Sequence, residues 1–145
     1  MEIIDTVYLV AYFKPSDPLH EDATYLIENL DSNKVVSQAS LIEFDLLMKS
    51  RGLSDDERLK VWLILHRFIG KDSIEPITLL DIIVATHLTT NYKLDYFDAL
   101  IAAQCIVRGA KPLTTDREIV NTISKREEIL SELEKYGITI PRGST

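Results

Sequence analysis

A single cysteine, Cys105, in a chain of 145 residues excludes an intrachain disulfide and any zinc site built from several thiolates. Histidine is nearly as scarce. His20, His66 and His87 stand alone without metal-ligand spacing, so packing or surface roles are expected for them. No apolar run approaches the roughly 18 residues of a membrane span. The opening MEIIDTVYLVAYFK carries Glu2 and Asp5 where a signal peptide would carry cations, and it offers no small-residue cleavage site. A soluble, cytoplasmic protein without membrane contact is the expectation. Cations are in deficit: the net charge of -7 argues against a tight nonspecific coat on nucleic acid. It leaves room for an enzyme acting on nucleic acid, because carboxylates that hold a metal would carry part of that charge. Several chemistries are missing outright. There is no Gly-rich phosphate loop or Walker lysine, and no Gly-x-Ser-x-Gly elbow. Asp5 has neither the acid two residues on that a haloacid-dehalogenase-like nucleophile needs nor the adjacent acid of a response-regulator receiver.

What is present suffices for one compact unit. A hydrophobic content of 46% with 27% charged residues fits a single soluble domain spanning 1–145. Glu2–Ile4 reads as a short buried strand ending at Asp5, and Thr6 as the cap of an apolar helix, Val7–Phe13. After the breaker KPSDP, Ala23, Leu26, Ile27 and Leu30 recur at helical spacing over 19–31. A strand at Val35–Val36 precedes a helix opened by Ser40 and stopped by Gly52, and Ser54-Asp-Asp-Glu57 starts a further helix to Phe68. Ile74–Ile77 predicts an edge strand, 78–92 a helix, and Asp95 the start of a very apolar helix, Phe97–Val107, closed by Gly109. Pro112–Thr114 predicts a strand, 125–136 a charged helix, Ile138–Ile140 a last strand, and 142–145 a frayed tail. Short strands alternating with helices indicate an α/β fold whose parallel sheet is covered on both faces.

Four carboxylates, Asp5, Glu43, Asp98 and Asp116, lie where apolar runs begin or end. A buried charge costs several kcal/mol unless compensated. If the junctions converge, a hard divalent cation such as Mg²⁺ or Mn²⁺ is the natural compensation for oxygen ligands. Asp5 and Asp116 each follow a predicted strand, and sites of open parallel sheets lie at the carboxyl ends of strands. Each is equally readable as a helix N-cap. Glu43 fits a capping box with Ser40. Asp98 follows the cap candidate Asp95 on a helix otherwise almost wholly apolar, where a second acid indicates a buried polar site.

The stretches IDTVYLVAYF, SLIEFDLL, LDYFDALIAAQC and PLTTDREI, in this order, resemble the PIN domain, and within it the small VapC-type toxin ribonucleases. The resemblance covers essentially the whole chain, although Ser124–Tyr136 is longer than the usual link to the last strand. It implies a three-layer α/β/α sandwich with about five parallel strands in the order 3-2-1-4-5, and a Mg²⁺- or Mn²⁺-dependent endoribonuclease. Asp5, Glu43, Asp98 and Asp116 would form its acidic quartet, with Thr6 and Thr115 orienting ligands or contacting the scissile phosphate; Asp95, from its place beside Asp98, is expected as a cap or a supporting residue. A homodimer and a small antitoxin that blocks the acidic site are also implied. Lys14, Lys49, Arg51, Lys111 and Arg117 fall near predicted cleft edges as candidate phosphate contacts. Tyr8, Tyr12 and Tyr96 are expected to pack rather than stack on bases, Trp62 to sit in the core or a dimer interface, and Cys105 to be an inert buried thiol. The competing expectations are an RNA-processing PIN nuclease without an antitoxin and a PIN-like binding module without catalysis.

Overall fold

The computed structural model describes residues 1–142, so most of the tail expected at 142–145 lies outside the described residues. Strand β1 (Glu2–Ile4) leads into α1 (Thr6–Tyr12) and α2 (His20–Glu28). Strand β2 (Lys34–Ser37) runs directly into α3 (Gln38–Ser50), which α4 (Asp55–His66) follows. A 3₁₀ turn at Lys71–Ser73 delivers β3 (Ile74–Glu75), then α5 (Leu79–Asn91) and α6 (Tyr96–Arg108). The chain finishes with β4 (Lys111–Leu113), α7 (Arg117–Ile123) and α8 (Arg126–Glu134).

The fold is α/β, with a parallel sheet in the order β3-β2-β1-β4. Ile3 stands opposite Val35 on one side and Pro112 on the other. Pro112 is tolerated because, among the described residues, β4 is an edge strand and lacks a neighbour to which that nitrogen would have to donate. Successive residues of a strand point to opposite faces. Ile4 and Val36 accordingly pack with Leu9, Ile27, Phe44 and Leu65 from α1 to α4, whereas Ile3 and Val35 pack with Cys105 of α6 and Ala110. Helices thus cover both faces, as a buried parallel sheet requires. Each fully buried Ile or Leu contributes about 1.5–3 kcal/mol.

Four points differ from the sequence expectations or go beyond them. The sheet has four strands among the described residues, not five. Residues 138–140 join no ladder; Ile140 is buried in the helical core beside α6 and α8, and the Ile138 amide donates back to the Leu133 carbonyl. Gly137, at φ 78°, permits that reversal. Second, the stretch after Asp116 holds a helix, α7, that the pattern did not announce. Third, α3 begins at Gln38 with Ser37 as its cap, three residues before the expected opening. Fourth, Asp5 rather than Thr6 occupies the N-cap of α1. Elsewhere the stops and starts hold. Ser54 and Glu57 form their capping box, and Gly109 closes α6 in the left-handed conformation.

Candidate acidic cleft

Parallel strands place their carboxyl ends along one edge of the sheet, and the residues that follow β1 and β4 meet there. A cleft of about 440 Å³ opens at this edge, lined by Asp5, Glu43, Asp98 and Asp116 together with Thr6, Thr115, Asp17 and Arg51. The cap and cleft readings of Asp5 and Asp116 hold together. Asp5 is 3% exposed. Its Oδ1 accepts from the Thr6 amide at 2.7 Å, and its Oδ2 accepts from the Thr114 hydroxyl at 2.6 Å. Asp116 caps α7 through Oδ1, which accepts from the Glu118 amide at 2.8 Å. The Thr114 hydroxyl oxygen also accepts from the Asp116 amide at 3.0 Å, so one threonine ties the ends of β1 and β4 together.

Glu43 is not in a capping box. Because α3 starts early, Glu43 lies in the second turn and its Oε1 accepts from the Thr6 hydroxyl at 2.5 Å. Ser40, its expected partner, is fully buried and donates instead to the Ile4 carbonyl at 2.9 Å. This pins α3 to the strand that ends at Asp5. Asp98 enters from the first turn of α6, half-buried. Asp95 stands at the N-cap position of α6 but makes no side-chain capping bond. It is exposed, and its charge acts on Glu43.

The electrostatics record the crowding. Burial pushes the Asp98 carboxyl up to about 7, and the nearby charges of Asp116, Asp5 and Glu43 push in the same direction. Burial likewise raises Asp5, against the lowering effect of the Thr114 and Thr6 hydrogen bonds. Glu43 is raised by burial and by the charges of Asp5 and Asp95, against the Thr6 hydrogen bond. An all-oxygen donor set of carboxylates and hydroxyls, penalised for its own charge, fits a hard divalent cation. Among the described residues, however, no three acidic, His or Cys side chains already stand in metal-holding geometry. Asp5, Glu43 and Asp116 each direct at least one oxygen to a protein donor.

The remaining candidates separate clearly. Arg51 lines the cleft, and Lys14 lines an adjoining slot that shares Arg51. Arg117 is exposed at the start of α7 and outside the cleft lining. Lys49 is exposed in the last turn of α3. Lys111 begins β4 opposite Glu2 and so lies at the far edge of the sheet, contrary to expectation. Tyr8 and Tyr12 pack against the core beside β1, whereas Tyr96 is 67% exposed, contrary to the packing expectation. Trp62 packs edge-on against Phe44 and donates Nε1–H to Asp45 at 3.0 Å. Burial pushes the Cys105 thiol up to about 12, which leaves it inert. Two groups escaped the sequence reading: Asp17, on the cleft lining, and Thr114, which is bonded to Asp5 and Asp116. Asp17 sits in the KPSDP breaker, where an acid reads as turn chemistry, and its Oδ1 does accept from the Leu19 amide at 2.8 Å.

Among known families, the model of the PIN domain matches residues 3–124, a span that contains all four cleft carboxylates and ends with α7. No curated protein matches the chain.

Proposed function

We propose, since this chain belongs to the PIN domain family, that its acidic cleft hydrolyses RNA phosphodiester bonds with a divalent metal. PIN domains are generally nucleases and typically depend on such an ion. The single observation that carries the reading is the gathering of Asp5, Glu43, Asp98 and Asp116, from four separate elements, on one cleft. The proposed roles follow from their positions. Asp5 and Asp98 would hold the main Mg²⁺ or Mn²⁺, with Asp116 and Glu43 supporting it or a second ion. When bound, the ion supplies an acidified water and charge compensation for the phosphate. Thr6 holds Glu43 in place through its hydroxyl, and Thr114 fixes the orientation of Asp5. Thr115, on the cleft lining, would meet the scissile phosphate. Arg51, Lys14 and Arg117 would contact flanking phosphates, and Asp95 would add to the negative field near Glu43. The products would be a 5′-phosphate and a 3′-hydroxyl.

The same reading extends to the whole molecule as one PIN domain over 1–145. Its toxin role, its pairing with a second copy and its inhibition by a small antitoxin over the cleft rest on the resemblance to the VapC-type ribonucleases. Among the described residues no helix is long and apolar enough to cross a membrane. The test is cleavage of several structured RNAs with Mg²⁺, with Mn²⁺ and with chelator. Metal-dependent cleavage by the wild type and its loss in a folded Asp98→Asn protein are expected. Chelator-insensitive cleavage, or full activity of Asp98→Asn, would refute the assignment, and cleavage of none of the RNAs would shift weight to a binding module.

A further inference from the structure

Beside the acidic cleft lies a second, apolar slot of about 220 Å³. The two share a wall made by Val10, Leu47 and Arg51. Phe13 and Phe44, stacked on each other with ring centroids 5.9 Å apart, and Val61 of α4 line the slot further in. Two cations, Arg51 and Lys14, border this otherwise apolar space, both exposed. Neither forms an ion pair among the described residues. In a chain of net charge -7, unpaired cations at the edge of a carboxylate cleft are placed for anions rather than for internal carboxylates.

We propose that this slot receives one unstacked nucleobase of the RNA, next to the phosphate held over the carboxylates, while Arg51 and Lys14 meet the phosphates on either side of that base. The proposal rests on the nuclease reading above and adds a substrate subsite to it. Each nucleotide of an RNA strand combines the apolar faces of its base with an anionic phosphate, and proteins that bind single strands bury such faces against aromatic and apolar side chains beside cations. An apolar side chain of a protein partner would use the slot without needing either cation. A comparable apolar hollow of about 300 Å³ beside α4, lined by Leu41, Trp62 and Ile74, supplies the contrast: it has no cation of fixed charge and shares no residue with the cleft. Of these two hollows, the slot is the one that joins apolar walls and cations unpaired among the described residues to the carboxylate cleft.

The experiment uses an oligoribonucleotide whose cleavage position has been mapped. A single abasic ribose replaces, in turn, the residue on each side of the scissile phosphate. For the wild type with Mn²⁺, kcat/KM should fall about tenfold or more at one of the two positions, in line with the loss of one buried base. Val61→Trp, which fills the slot, should show that loss on intact RNA and little further loss on the abasic strand. Equal cleavage of intact and abasic strands by the wild type would overturn the slot assignment while leaving the nuclease reading in place. Unchanged kinetics of a folded Val61→Trp protein on intact RNA would do the same and would give the slot to an apolar protein side chain. If neither strand is cleaved under any metal, the nuclease reading fails first. The abasic comparison needs no variant, so misfolding of Val61→Trp cannot mask the result.

Discussion

Asp98 carries the clearest single-residue consequence of folding. Its carboxyl is pushed up to about 7 by burial and by three neighbouring acids. A folded-state pKa above the unfolded value means that the native protein binds the proton more tightly. The associated stability is present below the ordinary carboxylate range and is lost as pH rises through about 7. Asn mimics the protonated form. Metal-free Asp98→Asn should therefore be more stable than wild type at pH 8, with the difference shrinking to nothing near pH 4, as urea unfolding at the two pH values would show. A pH-independent difference would mean that Asp98 is not penalised by its neighbours. Thr114 is the complementary case. Thr114→Val removes the hydroxyl that donates to Asp5 and accepts from the Asp116 amide, and RNA cleavage should require a higher Mg²⁺ concentration while the far-ultraviolet spectrum stays unchanged. At this scale the quartet was legible because charges at the ends of apolar runs are costly and therefore conspicuous. Asp17 and Thr114 were not, since a polar residue in a turn or at a strand end raises no such alarm.

Between elements, caps decide where helices begin, and here sequence patterns mislead as often as they guide. Ser40 with Glu43 and Ser54 with Glu57 show the same spacing, yet only the second pair forms a capping box. The local pattern cannot reveal that Ser37, already at the end of β2, caps α3 first. Ser37 does more than cap. Its hydroxyl accepts from the Ala39 amide and donates to Oε1 of the fully buried Gln104 on α6, at 2.6 Å. This contact joins the helix that bears Glu43 to the helix that bears Asp98. Ser37→Ala loses a cap and leaves Gln104 short of a partner, so it should lower unfolding stability by about 1–3 kcal/mol. Arg108, one turn beyond, pairs with Glu75 and with both oxygens of the fully buried Asp81. Arg108→Ala strands that carboxylate and should cost about 3–5 kcal/mol in the same measurement. The C-terminal segment was misread because Ile-Thr-Ile alternates as a strand does. Ile140 is instead buried in the apolar core among the helices.

At the scale of the whole molecule, the fold acts as a device for collecting negative charge. Three parallel pairings align the strand ends, and α3 and α6 bring Glu43 and Asp98 to the edge where Asp5 and Asp116 already stand. The layering was legible because short apolar strands alternating with helices indicate a parallel sheet covered on both faces, whereas the strand order was implied by the resemblance to the PIN domain alone. Strand number was not legible, because it depended on a segment at the end of the chain. The cost of that collected charge is what a dication would offset, so the ion should stabilise the protein as well as serve its chemistry. The measurement that bears most directly on this account is a Mn²⁺ titration followed by electron paramagnetic resonance, comparing wild type with folded Asp98→Asn and Asp5→Asn proteins. Saturable binding by the wild type, weakened about tenfold or more in each variant, is the predicted result. Equal binding by all three proteins, or none by the wild type, would contradict the claim that these carboxylates form one metal-holding cleft.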